Sequence, residues 1–91
     1  MNKIRSLIIL GGGNSQLPFI TAALNLDITA IVIDKDPKAI GFKFAVEKIV
    51  VSTYDSKAVV SVLKTLAEKY SYVGLVARVS GPALFKEIFS A

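Results

Sequence analysis

The sequence predicts an α/β fold, a parallel sheet of about four strands with helices on both faces, within a single domain of 91 residues. Three observations predict it. Short runs of Ile, Leu and Val recur with no polar alternation, the pattern of strands covered on both faces. Between them lie stretches whose apolar residues repeat at helical spacing. Clusters of Gly, Pro, Asp and Ser separate the two kinds of run.

Residues 4–10 read as the first strand, rich in Ile and Leu and ended by Gly11-Gly12-Gly13. Asn14 or Ser15 can cap the helix that follows, and Pro18 suits its first turn, where backbone N–H groups lack helical partners. That helix spans about residues 16–26, with Leu17, Ile20 and Ala23 or Leu24 toward the sheet. Residues 28–33 form an almost wholly apolar second strand, broken by Asp34-Lys35-Asp36-Pro37. A short irregular or helical link occupies residues 37–44. The third strand lies within 47–52, centred on Ile49-Val50-Val51. Asp55 or Ser56 caps a longer helix reaching about residue 70, with Val59, Leu63, Leu66 and Tyr70 as its buried stripe. A fourth strand covers 73–77. A loop, Arg78-Val79-Ser80-Gly81, leads to a last helix over 82–91 that starts at Pro82. This alternation is that of a Rossmann-like half-fold and predicts the strand order 3-2-1-4. A doubly wound sheet continues with another strand after such a helix. The expectation is therefore of a domain truncated at its C-terminal end, with Leu84, Phe85, Ile88 and Phe89 in want of cover and, as a result, either self-association or a displaced or frayed C-terminal segment.

Composition narrows the chemistry. There is no cysteine and no histidine, so thiolate and zinc sites and Ser-His or Cys-His catalysis are excluded within this sequence. No apolar run approaches the ~20 residues of a membrane helix. The start, Met1-Asn2-Lys3-Ile4-Arg5, runs into too short an apolar stretch for a signal peptide, so cytoplasmic residence is expected. The net charge of +4 comes from 11 Lys and Arg against 7 Asp and Glu, dispersed along the chain. Dispersed charge reads as a solvated surface, and without a basic stripe no nucleic-acid partner is expected. Tyr54, Tyr70 and Tyr72 read as core-rim residues.

The glycine turn carries the chemistry. In a strand–turn–helix unit the backbone N–H groups of the turn point outward together and favour negative charge. Glycine leaves that backbone open to close approach and accepts positive φ. Gly11-x-Gly13-x-x-Gln16 starts like the dinucleotide fingerprint but has Gln16 in place of its third glycine. Asp34, at the end of strand two, stands where that fingerprint puts its ribose-binding acid; it also reads as the cap of the Pro37 turn. Gln16 is open between bonding the loop beside it and touching a substrate. Arg78, at the C-terminal end of a strand, is placed to grip a carboxylate or phosphate in bidentate fashion.

Leu10-Gly11-Gly12-Gly13-Asn14-Ser15-Gln16-Leu17-Pro18 resembles the opening of the N-terminal, pre-ATP-grasp domain of the ATP-grasp superfamily, as does Val32-Ile33-Asp34-Lys35-Asp36-Pro37. Gly41-Phe42-Lys43-Phe44-Ala45, Thr53-Tyr54-Asp55 and the segment from Ala77 to Leu84 resemble later parts of the same domain. The family includes carboxylate–amine ligases, purine-pathway carboxylases, biotin carboxylase and carbamoyl phosphate synthetase. The resemblance implies a substrate-side domain of a ligase that works through an acyl-phosphate. ATP and Mg2+ would belong to C-terminal ATP-binding lobes outside this chain, which would bind no cofactor alone, hold no catalytic residue and be inactive by itself. Its substrate-facing residues would be Gly11, Gly12, Gly13, Asn14, Ser15 and Gln16, with Arg78, Ser80 and Gly81, and Asp34 as a further contact. The ligand would be a small carboxylate or amine. The rival reading is an NAD(P)-binding domain of a dehydrogenase or regulatory sensor, which keeps Gly11, Gly13 and Asp34 in role and is opposed by Gln16.

Overall fold

The computed structural model describes residues 2–77. It is an α/β domain built on one four-stranded, all-parallel sheet in the order β3-β2-β1-β4. β1 is Ile4–Leu10, β2 Thr29–Asp34, β3 Glu47–Val50 and β4 Tyr70–Val76. The helices are α1, Leu17–Asn25, and α2, Ser56–Leu66, with 3₁₀ segments at Asn14–Gln16 and Ile40–Phe44. Arg78, Ser80, Gly81 and the last helix expected over 82–91 lie outside the described residues.

The sheet has a core on each face. On one, Ile8, Leu10, Ile31, Ile33 and Ile49 meet Val59, Val60 and Leu63 of α2. On the other, Ile9, Ala30 and Val32 meet Ile20 of α1 and Phe42 of the second 3₁₀ segment. Strand side chains alternate between faces, so an unbroken apolar run such as Ala30–Ile33 supplies both cores at once. β2, flanked by β1 and β3, is therefore the most completely buried strand, with Ala30, Ile31, Val32 and Ile33 all sealed from solvent.

Several boundaries differ from the sequence reading. α1 buries Ala23 and leaves Leu24 42% exposed, which settles that alternative. Neither Asn14 nor Ser15 caps α1; both sit exposed in the 3₁₀ turn, and Gln16 occupies the cap position without a side-chain cap bond. At α2 the cap is Asp55, whose Oδ1 accepts from the Ala58 N–H at 3.2 Å. α2 stops at Leu66, and Tyr70 is the first residue of β4, not the last of the helix stripe. Its spacing from Leu66 fits a helix, but pairing with Ile4 of β1 draws it into the sheet. That pairing is long-range, and helical periodicity does not register it.

β4 carries a bulge. Tyr72 pairs with Ser6 and Gly74 with Leu7, leaving Val73 as an extra residue. The bulge shifts the alternation, so that Tyr70 and Tyr72 before it and Leu75 and Ala77 after it all pack on the α2 core. The bare backbone of Gly74 admits Leu7, whose Cδ1 would lie 3.1 Å from a Cβ there.

Tyr70 is 1% exposed and spans the underside of this core. Its hydroxyl donates to Glu47 Oε2 at 2.7 Å, linking β4 on one edge of the sheet to β3 on the other. Burial pushes the Tyr70 hydroxyl up to about 12, and the Glu47 carboxylate, as bond partner and negative charge, pushes the same way. Tyr72 donates to the Leu63 carbonyl. It is also raised to about 12, by burial first and by the charge of Glu47 second. Tyr54 is neither core nor rim: it is 76% exposed.

Candidate functional site

In a parallel sheet the loops after the strands collect at the C-terminal edge, where open α/β folds bind their ligands. Here the turns after β1, β2 and β3 meet in a cavity of about 250 Å³. Leu10, Gly11, Gly13 and Gln16 line it from the β1 turn, Asp34 from the end of β2, and Thr53 and Tyr54 from the loop after β3.

The glycine turn is held from within. The Gly11 N–H donates to the Ile33 carbonyl at 2.7 Å and extends the β1–β2 ladder by one bond. The Gly12 N–H donates to Asp34 Oδ2 at 2.8 Å. The Gly13 N–H donates to Gln16 Oε1 at 3.1 Å, while the Gln16 N–H donates back to the Gly13 carbonyl, also at 3.1 Å. Three amides that the sequence reading turned outward toward an anion are thus satisfied inside the chain. The acceptors are the Ile33 carbonyl and two side chains beside the turn, Asp34 and Gln16, of which Gln16 stands where the fingerprint has its third glycine.

Each glycine answers a different demand. Gly11 has φ +107, the left-handed region that favours glycine. Gly12 is needed for room: a Cβ would come within 2.9 Å of Val32 Cγ1 and 3.2 Å of Ala39 Cβ. Gly13, at φ −81 and ψ −176, is extended, and a Cβ would meet only Gln16 Oε1 at 3.4 Å. A fourth glycine belongs to the same arrangement. The Gly41 N–H donates to the Gly12 carbonyl at 2.7 Å, and the two backbones touch. Gly41 was quoted in the sequence only as part of a resemblance; its contact with the turn is tertiary.

Asp34 is half-buried and does two jobs. Oδ2 holds the Gly12 N–H, and Oδ1 accepts from the Asp36 N–H at 2.9 Å, forming the turn toward Pro37. It is therefore a turn cap, as the sequence suggested, and also a strut for the glycine loop. Gln16 does bond the loop beside it. Its Nε2, lying over Gly11 at 3.6 Å from where a Cβ would be, has no acceptor among the described residues and is not sealed from solvent, so it stands at the cavity as a donor. Asn14 and Ser15 are exposed beside this lining and not part of it. Thr53 and Tyr54 were not singled out as site residues; only the parallel pairing of β3 with β2 brings their loop to this edge.

Among the described residues no group of three or more acidic side chains could hold a metal ion, and no helix is long and apolar enough to cross a membrane.

No protein-family model matches the sequence, and no curated protein sequence matches it significantly. Solved structures do match. The chain is similar to N5-carboxyaminoimidazole ribonucleotide synthetase from Thermotoga maritima, with a TM-score of 0.71 and 22% identity, over 94% of this chain and 23% of that one. It is also similar to an N5-carboxyaminoimidazole ribonucleotide synthetase solved as an ADP complex, with a TM-score of 0.58 and 25% identity, over 79% of this chain and 19% of that one. Both neighbours are ATP-grasp ligases. The fold is that of a segment of an ATP-grasp ligase. The chain spans about a fifth of the length of these synthetases.

Proposed function

We propose that this chain is the substrate-side N-terminal domain of an ATP-grasp ligase that joins a carboxylate to an amine through an acyl-phosphate. The observation that carries the reading is the likeness of fold over 94% of the chain to a ligase of that superfamily, with the glycine turn opening onto a cavity at the strand ends. In this reading Gly11, Gly13 and Gln16 shape the wall against which the small substrate rests. Asp34 keeps that wall rigid through the Gly12 N–H. Arg78, Ser80 and Gly81, which follow β4 in the sequence, are assigned to an anionic group of a substrate.

ATP and Mg2+ are assigned to the ATP-binding lobes of the parent enzyme. The described residues do not fit a nucleotide phosphate, because the N–H groups of Gly11, Gly12 and Gly13 are spent internally and the cavity lining holds no cation. The contribution of this domain is therefore positioning. It holds one reactant at the correct distance and excludes water from that side, which favours the bimolecular step through orientation. The dinucleotide alternative needs the turn amides and the Asp34 carboxylate free for the cofactor; the amides are engaged within the chain, and Asp34 holds the Gly12 and Asp36 N–H groups.

The test is a hydroxylamine trap on the protein carrying this domain with its ATP-binding lobes. The ligase reading expects ATP-dependent hydroxamate from the acid substrate, abolished without the acid. In parallel, calorimetric titration of the 91-residue chain should give no tight binding of NAD or Mg·ATP. Sub-micromolar NAD affinity would overturn the reading.

A further inference from the structure

The two faces of the sheet are not covered alike. On one, α2 lies over β3 through Ile49 and leaves Lys57, Ser61, Lys64 and Thr65 to solvent. On the other, α1 packs on β1 and β2, and among the described residues β3 adds nothing to that core. The connection between β2 and β3 is the reason. A parallel pair is commonly joined by a crossover helix, and here the link carries only the 3₁₀ segment Ile40–Phe44. Strand side chains alternate between faces. With Ile49 in the α2 core, Lys48 and Val50 stand on the face that lacks a helix, as does Val46, whose N–H extends the ladder to the Ala30 carbonyl at 2.8 Å. Val46 is 45% exposed, Val50 52%, and Phe44 at the end of the 3₁₀ segment 45%. Branched apolar side chains on a parallel sheet normally lie under a helix. The rim of this patch is basic. Lys38, Lys43 and Lys48 are exposed, and no ion pair among the described residues holds them. The acids within residues 35–50 are Asp36 and Glu47. Asp36 Oδ1 accepts from the Lys38 backbone N–H, and Glu47 faces the α2 side, bonded to the Tyr70 hydroxyl.

We propose that this face docks a helix of a second protein, one with an apolar stripe flanked by Asp and Glu. The helix takes the place of the crossover helix that the β2–β3 link does not form. Its stripe covers Phe44, Val46 and Val50, and its acids lie beside Lys38, Lys43 and Lys48. Residues 46–50 span about 16 Å of strand, which about 11 helical residues match. A second copy of this chain is the wrong occupant, because it would set the same lysines against one another, and like charges facing across an interface are unfavourable. Burial of the apolar groups supplies the affinity, and the lysines select the partner. The patch shares no residue with the lining of the cavity at the strand ends, so this docking role goes beyond the ligase reading and does not depend on it.

Two synthetic peptides of about 16 residues, long enough to hold a helix, separate charge from shape. They share one Leu stripe and differ only in Glu or Lys flanks. Each is titrated into the 91-residue chain and followed by the amide signals of Val46, Lys48 and Val50, with Gly11 as the reference that should not move. The Glu-flanked peptide is expected to shift the three signals with saturation below about 1 mM, and the Lys-flanked peptide to bind at least about fivefold more weakly. Lys48→Glu should weaken the Glu-flanked peptide about fivefold and strengthen the Lys-flanked one by a similar factor. Lys48 is exposed, and an unmoved Gly11 signal checks that the variant is folded. Val50→Thr keeps the branched shape and should weaken both peptides about threefold. Equal binding of the two peptides overturns the acidic partner. No response to either overturns the face as a helix site. Shifts of the same signals with chain concentration alone assign the cover to a second copy and overturn the proposal. So does protection of the Val46 and Val50 amides, without added peptide, in a protein that carries this domain with its ATP-binding lobes, because the cover would then belong to the same polypeptide.

Discussion

The contact between Gly12 and Gly41 invites a sharp test. In Gly41→Ala the new methyl would sit 2.9 Å from the Gly12 carbonyl oxygen, 3.0 Å from Gly12 Cα and 2.9 Å from Ile20 Cδ1. Two of those three atoms are backbone, so the clash cannot be relieved by turning a side chain. Overpacking of this kind costs about 1–3 kcal/mol. Pushing the segments apart also weakens the 2.7 Å bond from the Gly41 N–H to the Gly12 carbonyl, which adds about 1 kcal/mol. The lower entropy of the unfolded alanine chain returns roughly 0.4–1 kcal/mol. The net loss is about 1–3.5 kcal/mol, a large part of the ~5 kcal/mol expected at the low end for a small domain. With a urea m-value of about 1–2 kcal/mol/M, the unfolding midpoint should fall by about 0.5–3.5 M. Gly13→Ala is the control. Its backbone is extended and its methyl would meet only Gln16 Oε1 at 3.4 Å, so its midpoint should stay within the equivalent of about 0.5 kcal/mol. Equal midpoints for Gly41→Ala and the parent chain would refute the reasoning, because the two backbones would then not be in contact.

Gly11→Ala forces a Cβ onto φ +107 and should destabilise by about 1–3 kcal/mol in the same urea assay; an unchanged midpoint would mean the turn is not left-handed there. Asp55→Ala removes the α2 cap bond to Ala58 and should cost about 1 kcal/mol, with amide exchange rising first at Ala58 and Val59. At alkaline pH the two raised tyrosines set the sign. Each binds its proton more tightly folded, at about 12, than at the ordinary value of 10, so their stabilisation is complete below pH 10 and is lost as pH rises toward 12. Tyr70→Phe should flatten the alkaline fall in melting temperature while lowering stability at neutral pH; a variant with the same alkaline slope as the parent would remove Tyr70 as its cause.

Much of this domain is written in local pattern. The bounds of β1, the all-parallel order 3-2-1-4 and the glycine turn follow from runs and breaks that a linear reading detects, because period and turn chemistry are local properties. Asp34 and Gln16 were legible as residues of interest for the same reason. What they do was not, since each role depends on a partner brought near by folding. Gly12 stands 22 positions from Asp34, and the sequence offers no sign that the carboxylate would take that amide and so remove the anion site the glycines suggest. The transfer of Tyr70 from helix to strand has the same origin. Leu66 and Tyr70 are correctly spaced for one helix face, and only pairing with Ile4 and the bond to Glu47 decide otherwise. Gly41 and Tyr54 complete the pattern. Nothing local distinguishes a glycine that must touch another backbone from one in an ordinary link, or an exposed tyrosine at a cavity from one at a core rim. The sequence by itself determined the layers and the edge at which a site would form. The tertiary structure decided which groups of that site are spent internally, because hydrogen-bond satisfaction is settled by which groups meet in space.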